Sequence, residues 1–387
     1  MKEKRICIIS FSPIQWDGRV LRQIEIACSE YLVDVYGYGE WAPPWKNVNF
    51  YDVGPKQSPR IRNALQGLLL VVGYMYPRIR DLTFWYRLSH QRACKLIHNK
   101  RYDLIHANDL NALPVAVEVS KVTGAKVLFD AHEYSPDQRT DTLKGKLRSP
   151  YASYLLREFG SGIDHLVTVS SGLAQLYKEL LGLDADVVMN APARIEVQPR
   201  PVQEGEIQLV YHGNALKGRG LEILIEATGW LAPRFYLNFI LVGEDPRYIR
   251  KIRRMAEKIA PERIRFYDPV PPSEIVSYLT RFDVGVFVLP PSNLNYRYVL
   301  PNKFFDFVGA GLAIAIGPSP EMAELVRKYD MGIVAPGFTS EDIALSLNRL
   351  TTENINRMKM NAITASHELN AEIEQKKLLD VYEGLLS

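Results

Sequence analysis

The feature of this sequence that most constrains its fold is a double series of short apolar segments, which alternate with longer amphipathic ones. This alternation is typical of parallel β-strands joined by helices that cover both faces of a sheet. Nearly continuous apolar runs, such as KVLFD at residues 126–130, suit strands that are buried on both faces. We therefore expect an α/β fold with two doubly wound parallel sheets.

The two series predict most of the secondary structure. In the first, strands are expected at residues 5–10, 33–39, 103–107, 126–130, 165–169 and 186–189, and helices at residues 19–31, 83–99, 110–122 and 173–181. In the second, strands are expected at residues 207–211, 237–242, 264–267, 284–289, 312–316 and 332–334, and helices at residues 221–231, 246–259, 272–280, 302–309, 320–328 and 341–349. Residues 352–386 have a helical pattern without a strand.

A proline-rich stretch at residues 191–206 separates the two series and has the composition of a linker. We expect one domain at residues 1–190, a second at residues 207–365, and a final helical segment at residues 366–387. A length of 387 residues also suits two domains. Ligands of such sheets bind at the carboxyl ends of strands, so the cleft between the domains is the expected site.

The charge and the cysteine content of the chain argue against several classes of protein. A net charge of +3 is too small to indicate a nucleic-acid partner. The three cysteines, Cys7, Cys28 and Cys94, are scattered and indicate neither a disulfide framework nor a structural zinc site. The first residues resemble a strand rather than a signal peptide, and no apolar run reaches the roughly 18–20 residues that span a bilayer. We expect a cytoplasmic protein.

The loop after the first strand argues against a dinucleotide cofactor. A G-x-G-x-x-G motif belongs there in NAD-binding folds, but no glycine lies between Ser10 and Asp17. Asp17 and Arg19 then precede a helix, either as a helix cap with an exposed arginine or as groups that face a ligand.

A better anion-binding candidate is the loop YHGNALKGRG at residues 211–220, between a strong strand and a strong helix. Its glycines let backbone amides approach an anion, and the next helix offers its positive end. Arg219 adds a planar cation suited to phosphate. The alternative is a glycine-rich turn with solvated cations.

A second cation lies in PNKFFDFVGAG at residues 301–311. Lys303 occupies the first turn of a helix, where a cation opposes the helix dipole unless an anion compensates. Asp306 follows one turn later on the same face. The two side chains could divide a nucleotide's phosphate and ribose hydroxyls between them, or could form an ordinary salt bridge.

Polar residues follow two neighbouring strands of the first domain. DAHE at residues 130–133 ends one strand, and His106, Asn108 and Asp109 end another. Together they bring polar groups to one rim of the sheet, although each histidine could simply be a hydrogen-bonded structural residue. A zinc-binding HExxH is not formed, because Pro136 stands where the second histidine would be. The sequence DAD at residues 184–186 is interpreted as a turn.

A basic segment rich in aromatic residues spans residues 60–101. Such a segment is typical of a peripheral binder of anionic membranes, and the alternative is a core helix with a solvated basic face. Its basic residues are Arg60, Arg62, Arg78, Arg80, Arg87, Arg92, Lys95, Lys100 and Arg101.

These segments, with DGRVLRQIEIA, VTVSSGL and VVMNAP, resemble in order and spacing the retaining glycosyltransferases of family 4 over essentially the whole chain. The resemblance implies the GT-B fold of two Rossmann-like domains, with acceptor bound by the first, a nucleotide sugar by the second, and a C-terminal helix that returns to the first. It assigns His132 to the donor sugar, Gly213, Arg219 and Lys303 to the diphosphate, and Asp306 to the ribose. In the family's E-x7-E pattern Asp306 holds the second carboxylate position, whereas Tyr298 replaces the first.

Further residues are assigned with this resemblance. The additional donor-binding residues are Asn214, Gly218, Gly243, Glu244 and Val270, and the acceptor-side residues are Asp17, Arg19, His106, Asn108, Asp109 and Glu133.

The expected activity is transfer of a sugar, with retention, from a UDP- or GDP-sugar to a hydroxyl of a glycan or lipid-linked acceptor. Bacterial surface polysaccharide or glycolipid synthesis is the expected setting. Neither a metal nor another cofactor is expected. The alternatives are a nucleotide-sugar 2-epimerase of similar fold and a catalytically silent nucleotide-sugar-binding protein.

Overall fold

The computed structural model describes residues 4–54, 88–138, 140, 142–243 and 245–387. It consists of two compact units. The first comprises Met1–Met189 with Gln375–Ser387, and the second comprises Asn190–Glu374. Each unit contains one sheet in which all neighbouring strands are parallel. The predicted α/β class with two parallel sheets is thus confirmed.

The sheet of the first unit has the order β3-β2-β1-β4-β5-β6-β7. Its strands are β1 (Arg5–Pro13), β2 (Leu32–Tyr38), β3 (Val48–Asp52), β4 (Leu104–Asn108), β5 (Lys126–Ala131), β6 (His165–Thr168) and β7 (Ala185–Val187). The helices described between them are α1 (Gly18–Glu30), α2 (Leu88–His98), α3 (Asp109–Thr123), α4 (Leu143–Phe159) and α5 (Ser171–Leu181).

Hydrophobic cores form on both faces of this sheet. Successive residues of β1 point to opposite faces, so Cys7 and Ile9 join one core while Ile6 and Ile8 join the other. The strand order reverses between β1 and β4, and ligands of doubly wound sheets bind outside the carboxyl ends at such a point.

The second unit has the sheet order β10-β9-β8-β11-β12-β13. Its strands are β8 (Ile207–Asn214), β9 (Phe235–Val242), β10 (Ile264–Tyr267), β11 (Val284–Phe287), β12 (Ala313–Ile316) and β13 (Gly332–Val334). Its helices are α6 (Leu221–Trp230), α7 (Pro246–Ile259), α8 (Ile275–Leu279), α9 (Leu294–Arg297), α10 (Asn302–Gly309), α11 (Pro320–Lys328), α12 (Ser340–Asn348) and α13 (Thr352–Ser366). Here the order reverses between β8 and β11.

The last helix, α14 (Ala371–Leu386), starts in the second unit and continues into the first from Gln375 onward. Leu378, Tyr382 and Leu386 join the core that contains Ile6 and Ile8. In the described part of the chain, no helix combines the length and the apolar character needed to cross a bilayer.

Four elements differ from the sequence prediction. Helix α9 was not predicted, because its four residues form only about one turn. Strand β3 was not predicted, because VNFYD is short and mixes polar with apolar residues. Helix α4 was not predicted, because Gly145 and Pro150 interrupt its periodicity. The helical tail is two helices, since α13 ends at Ser366 and α14 begins at Ala371. Of the helix predicted at residues 83–99, the first five residues lie outside the described ones.

Candidate active site

Two glycines shape the anion-binding loop of the second unit. Gly213, at the end of β8, has φ +110°, and a Cβ atom there would lie 3.2 Å from Lys303 Nζ. Gly220 precedes α6 with φ +75°, and a Cβ atom there would collide with the carbonyl oxygen of Val288. Glycine at position 220 thus lets the positive end of α6 lie against the chain that follows β11.

Lys303 extends from α10 over aromatic rings. Its Nζ lies 3.9 Å from the ring centroid of Tyr211 and 4.8 Å from that of Phe287. Burial and the charge of Arg219 lower the pKa of Lys303 well below its usual range, against the opposing effect of Asp306. No ion pair joins Lys303 to Asp306, so the salt-bridge alternative for these two residues is wrong.

Arg219 is the second cation of the loop. The centre of its guanidinium lies 5.2 Å from the ring centroid of Tyr296, and its buried Nε has no hydrogen-bond partner. Among the described residues, neither Arg219 nor Lys303 has a carboxylate partner within 4.0 Å. Two basic side chains, Arg219 on the loop and Lys303 on α10, thus have no carboxylate partner among the described residues.

Beside the cations lies a cavity of about 180 Å³. Most of its wall is apolar, and His212 and Asp306 form its polar part, with 3.4 Å between His212 Nε2 and Asp306 Oδ2. Its lining residues are His212, Gly213, Ile240, Val242, Val270, Pro272, Ile275 and Asp306. Three residues assigned separately from the sequence, Gly213, Val270 and Asp306, thus surround one cavity.

His212 was not assigned from the sequence. Burial and the neighbouring Lys303 ammonium lower the pKa of His212 to about 3, so the imidazole is neutral at physiological pH. Its ring packs edge-on against Phe307, with 5.3 Å between centroids. The only signal in the sequence was its place directly before Gly213 at the end of a buried strand.

The other described residues that were assigned to the donor do not line this cavity. Asn214, the last residue of β8, and Gly218, between β8 and α6, are both exposed. At Gly243 a Cβ atom would lie 3.2 Å from Ala215 Cβ, so glycine permits a close approach of two loops. Glu244 lies outside the described residues. Tyr298 directly follows α9, where the guanidinium of Arg297 lies 5.4 Å from its ring centroid.

In the first unit, Asp130 at the end of β5 is the centre of a buried polar network. Its side chain is 1% exposed. Arg19 binds it through two hydrogen bonds, Nε to Oδ2 at 3.0 Å and Nη2 to Oδ1 at 2.5 Å, and Gln23 Nε2 donates to Oδ2 at 2.5 Å. Burial opposes the charge of Asp130, but Arg19 and then His132 outweigh it and hold its pKa well below its usual range.

Two residues that the sequence analysis assigned to the acceptor side are buried in or beside this network. Arg19 is only 9% exposed and is held by Asp130. His106 is fully buried, with its Nδ1 2.8 Å from the hydroxyl of Tyr382 in α14. Both side chains are bound by groups of their own unit, so neither is open to an acceptor.

His132 lies at the rim, between two carboxylates. Its Nδ1 is 3.6 Å from Asp109 Oδ1, and its Nε2 is 3.5 Å from Asp130 Oδ2. Burial and Arg19 act to lower the pKa of His132, but Asp130 and Asp109 outweigh them and raise it. A raised pKa favours a positively charged imidazole at this rim.

The neighbouring residues at this rim differ in whether their side chains have hydrogen-bond partners and in how exposed they are. Asn108 is 2% exposed, and neither of its side-chain polar atoms has a hydrogen-bond partner among the described residues. Asp109 has φ +61°, a strained conformation for a non-glycine residue. Glu133 is exposed and accepts a hydrogen bond from Gln138. Asp17 caps α1 by accepting from the backbone of Val20, as the capping interpretation predicts, but the exposed Arg19 of that interpretation is wrong.

The basic segment is described only from residue 88 onward. Arg60, Arg62, Arg78, Arg80 and Arg87 lie outside the described residues. Within them, Arg92 donates to the carbonyl of Gly54, and Lys100 pairs with Asp34 at 2.9 Å. Lys95 and Arg101 are exposed.

The acidic and histidine residues of the described chain form no group of three or more that could hold a metal ion. The two aspartates of DAD pair separately, Asp184 with Lys178 and Asp186 with His165.

Solved structures match this architecture across nearly the whole chain. HepE of Anabaena, solved with UDP-glucose, has a TM-score of 0.69 at 14% identity, over 98% of this chain and 99% of its own. Sucrose-phosphate synthase from Thermosynechococcus elongatus has a TM-score of 0.73 at 15% identity, over 99% of both chains. An α,α-trehalose-phosphate synthase (UDP-forming) from Burkholderia vietnamiensis has a TM-score of 0.70 at 11% identity, over 99% of this chain and 100% of its own.

The fold is therefore that of the GT-B class of glycosyltransferases. Two family models match successive parts of the chain: Glycosyltransferase Family 4 at residues 47–203 and Glycosyl transferases group 1 at residues 206–353. The chain belongs to this family of group 1, family 4 glycosyltransferases. No curated protein sequence matches it significantly.

Proposed function

We propose that this glycosyltransferase moves a sugar, with retention, from a UDP- or GDP-type nucleotide sugar to a hydroxyl of a glycan or lipid-linked acceptor. Bacterial surface polysaccharide or glycolipid synthesis is the proposed setting. The observation that carries the proposal is a pair of basic side chains, Lys303 beside Gly213 and Arg219 just before α6, neither of which has a carboxylate partner among the described residues. A diphosphate is the ligand whose charge and size suit such a pair.

The two cations suit the chemistry of the leaving group. In sugar transfer, negative charge develops on the departing diphosphate, and fixed positive groups lower the barrier most when they are already in place. The Tyr211 and Phe287 rings exclude water from one side of Lys303, which strengthens its interaction with an anion. Diphosphate binding would also favour the charged form of Lys303, because a nearby anion raises the pKa of an ammonium group.

The adjoining cavity suits the nucleoside. Asp306 offers a carboxylate that accepts hydrogen bonds from ribose hydroxyls. Ile240, Val242 and Val270 offer apolar surface to a base. The cavity lies next to Gly213, where the backbone approaches the diphosphate in this proposal.

The first unit supplies the groups for sugar and acceptor. His132, whose pKa is raised, and the unpartnered amide of Asn108 offer hydrogen bonds to sugar hydroxyls at the carboxyl edge of the sheet. In the retaining mechanism that the family implies, the acceptor attacks from the side of the leaving group, and the departing phosphate takes the acceptor's proton. No protein base is then needed.

The proposal predicts acceptor-dependent release of a nucleoside diphosphate from one of a panel of UDP- and GDP-sugars, with full activity in EDTA. Arg219 and Lys303 bring two positive charges to the leaving group, which is the charge a divalent cation would otherwise bring. Donors are selected by thermal shift, since a ligand of the native state raises the melting temperature. Products are then analysed by NMR.

Three results would contradict this proposal. Activity lost on chelation and restored by Mn²⁺ would show a metal requirement. An epimerised nucleotide sugar formed without acceptor would show an epimerase. A donor that binds but is neither transferred nor hydrolysed would indicate a silent binding protein.

We also propose that the basic segment at residues 60–101 attaches the protein to anionic membranes at the inner face of the cell membrane. Each basic residue near such a surface contributes about 1 kcal/mol. Neutralising Arg60, Arg62, Arg78 and Arg80 should therefore strongly reduce co-sedimentation with anionic liposomes at low salt. Unchanged sedimentation would show that the segment is only a solvated basic face.

A further inference from the structure

One buried polar atom of the second unit has no role in the proposed function so far. His212 is 8% exposed and lines the cavity beside Asp306. Its Nε2 has no hydrogen-bond partner among the described residues. Asp306 Oδ2, 3.4 Å away, does not make a hydrogen bond with it. Unpaired polar atoms in protein interiors are uncommon and destabilising, so this one indicates a missing partner.

The surroundings of Nε2 limit what that partner can be. Next to it is a carboxyl group, which repels phosphate. The remaining lining is glycine, proline and aliphatic side chains, and the Lys303 ammonium that acts on His212 lies beside Gly213 and is not part of this lining. The partner is therefore a neutral polar group that lies close to a second group bound by Asp306.

Adjacent hydroxyls of a sugar ring meet these conditions. A neutral imidazole carries one N–H and one lone pair, and a hydroxyl can both donate and accept, so the two match in either tautomer. A carboxylate accepts from the neighbouring hydroxyl. In a nucleoside diphosphate, the vicinal 2′- and 3′-hydroxyls of ribose form such a pair.

We infer that His212 Nε2 and the Asp306 carboxylate together bind the vicinal hydroxyls of the donor's ribose, and that His212 is thus a specificity residue for ribonucleotide donors. The inference rests on the proposed function, because it assumes that a nucleoside diphosphate occupies the cavity. It gives the ribose a second hydrogen-bonding partner, His212, besides the carboxylate of Asp306.

The experiment compares two amide substitutions that place a hydrogen-bonding group at different reaches. In His212→Gln the side-chain amide extends to the region of Nε2, whereas in His212→Asn it stops near Nδ1. The probes are UDP and GDP, each with its 2′-deoxy and 3′-deoxy analogue, and their affinities are measured by calorimetry. For the nucleotide that binds, we expect one of the two deoxy analogues to bind wild-type protein about tenfold more weakly through loss of the contact with His212.

In His212→Asn, that tenfold preference for the ribonucleotide should disappear, while His212→Gln should retain part of it. Lys303→Ala is the control for general weakening of the site. It should reduce affinity for all three forms by the same factor, because it acts on the diphosphate. His212→Phe, which keeps the edge-on ring contact with Phe307, provides the same test if His212→Asn does not fold.

The outcomes separate this inference from the proposed function. If wild-type protein bound neither UDP nor GDP, the nucleotide assignment itself would fail, and the inference with it. If a nucleotide bound but His212→Asn kept both deoxy preferences of the wild type, only the role of His212 would be refuted. Equal weakening of all three forms in His212→Asn would likewise overturn it, because that is the effect of a purely structural histidine.

Discussion

Replacing Arg219 with alanine should lower kcat/KM by about 10²–10³, which corresponds to roughly 3–4 kcal/mol of lost transition-state stabilisation. Arg219 lies on the loop at residues 211–220 and Lys303 lies on α10, and neither has a carboxylate partner within the described residues. In the proposed function, loss of Arg219 removes one of the two charges that face the departing diphosphate. The measurement is kcat/KM for the donor at saturating acceptor.

The fold should be nearly unaffected by this change. Arg219 stacks against Tyr296 and has no ion-pair partner among the described residues, so its removal breaks no buried pair. A melting curve of each variant separates a folding defect from a catalytic one. Arg219→Lys should recover only part of the rate, because lysine keeps the charge but loses the planar fork that binds two oxygens.

The matched control for Arg219 is its neighbour Lys217, which is exposed on the same loop. Lys217→Ala removes the same formal charge from a solvated position, where screening by water and salt weakens its effect. We expect a much smaller loss of kcat/KM. Near wild-type kcat/KM in Arg219→Ala would refute the assignment of this loop to the diphosphate.

The sheets were predictable from the sequence because their central strands are nearly continuous apolar runs. Strand β5 was predicted at residues 126–130 and spans Lys126–Ala131. Burial on both faces leaves such strands little freedom of composition. Strands at the edge of a sheet need not be continuous apolar runs, so the sequence does not mark them in this way. Strand β3 lies at an edge of its sheet, and after Val48 its residues are exposed or only partly buried.

Individual site residues were predictable where local chain geometry demands a residue type. Gly213 and the lysine at the start of α10 could be chosen because a glycine turn and a cation against a helix dipole are visible in sequence. The same reasoning anticipated an anion for Lys303, but not the rings of Tyr211 and Phe287 that cover it.

Pairings between distant residues were not predictable. Arg19 and Asp130 are 111 residues apart, and only the folded sheet brings α1 next to the end of β5. From the sequence, Arg19 was either an exposed residue after a helix cap or a group that faces a ligand, and the resemblance placed it on the acceptor side; neither interpretation indicated a buried pair. The approach of His212 to Asp306 is likewise a product of tertiary packing, and no spacing within either motif indicates it.

Neutralising one member of the buried pair of Arg19 and Asp130 should strongly destabilise the first unit. Asp130→Asn keeps the size of the side chain but removes its charge, and it leaves the guanidinium of Arg19 buried without compensation. Breaking a buried pair in this way costs about 3–5 kcal/mol. At about 2–4 °C per kcal/mol for a domain of this size, the first unit should melt roughly 10 °C lower.

Glu118→Gln is the matched control, because it neutralises a carboxylate of an exposed pair with Lys121 in the same unit. An exposed pair contributes well under about 1 kcal/mol, so this variant should melt close to the wild type. The pH dependence gives a second readout. Folding lowers the pKa of Asp130, so its contribution is complete above the unfolded pKa of about 3.9 and is lost as the pH falls toward the folded value.

A double-mutant cycle separates the pair from its surroundings. Arg19→Gln alone leaves the Asp130 carboxylate buried without its main partner, and should also be strongly destabilising. The double variant Arg19→Gln with Asp130→Asn buries no uncompensated charge between these positions, so its loss of stability should be well below the sum of the two single losses. Additive losses in urea unfolding would show that Arg19 and Asp130 are not energetically coupled. A large coupling would establish that Arg19 acts as the fixed counter-charge of Asp130, which in turn lies 3.5 Å from the imidazole of His132.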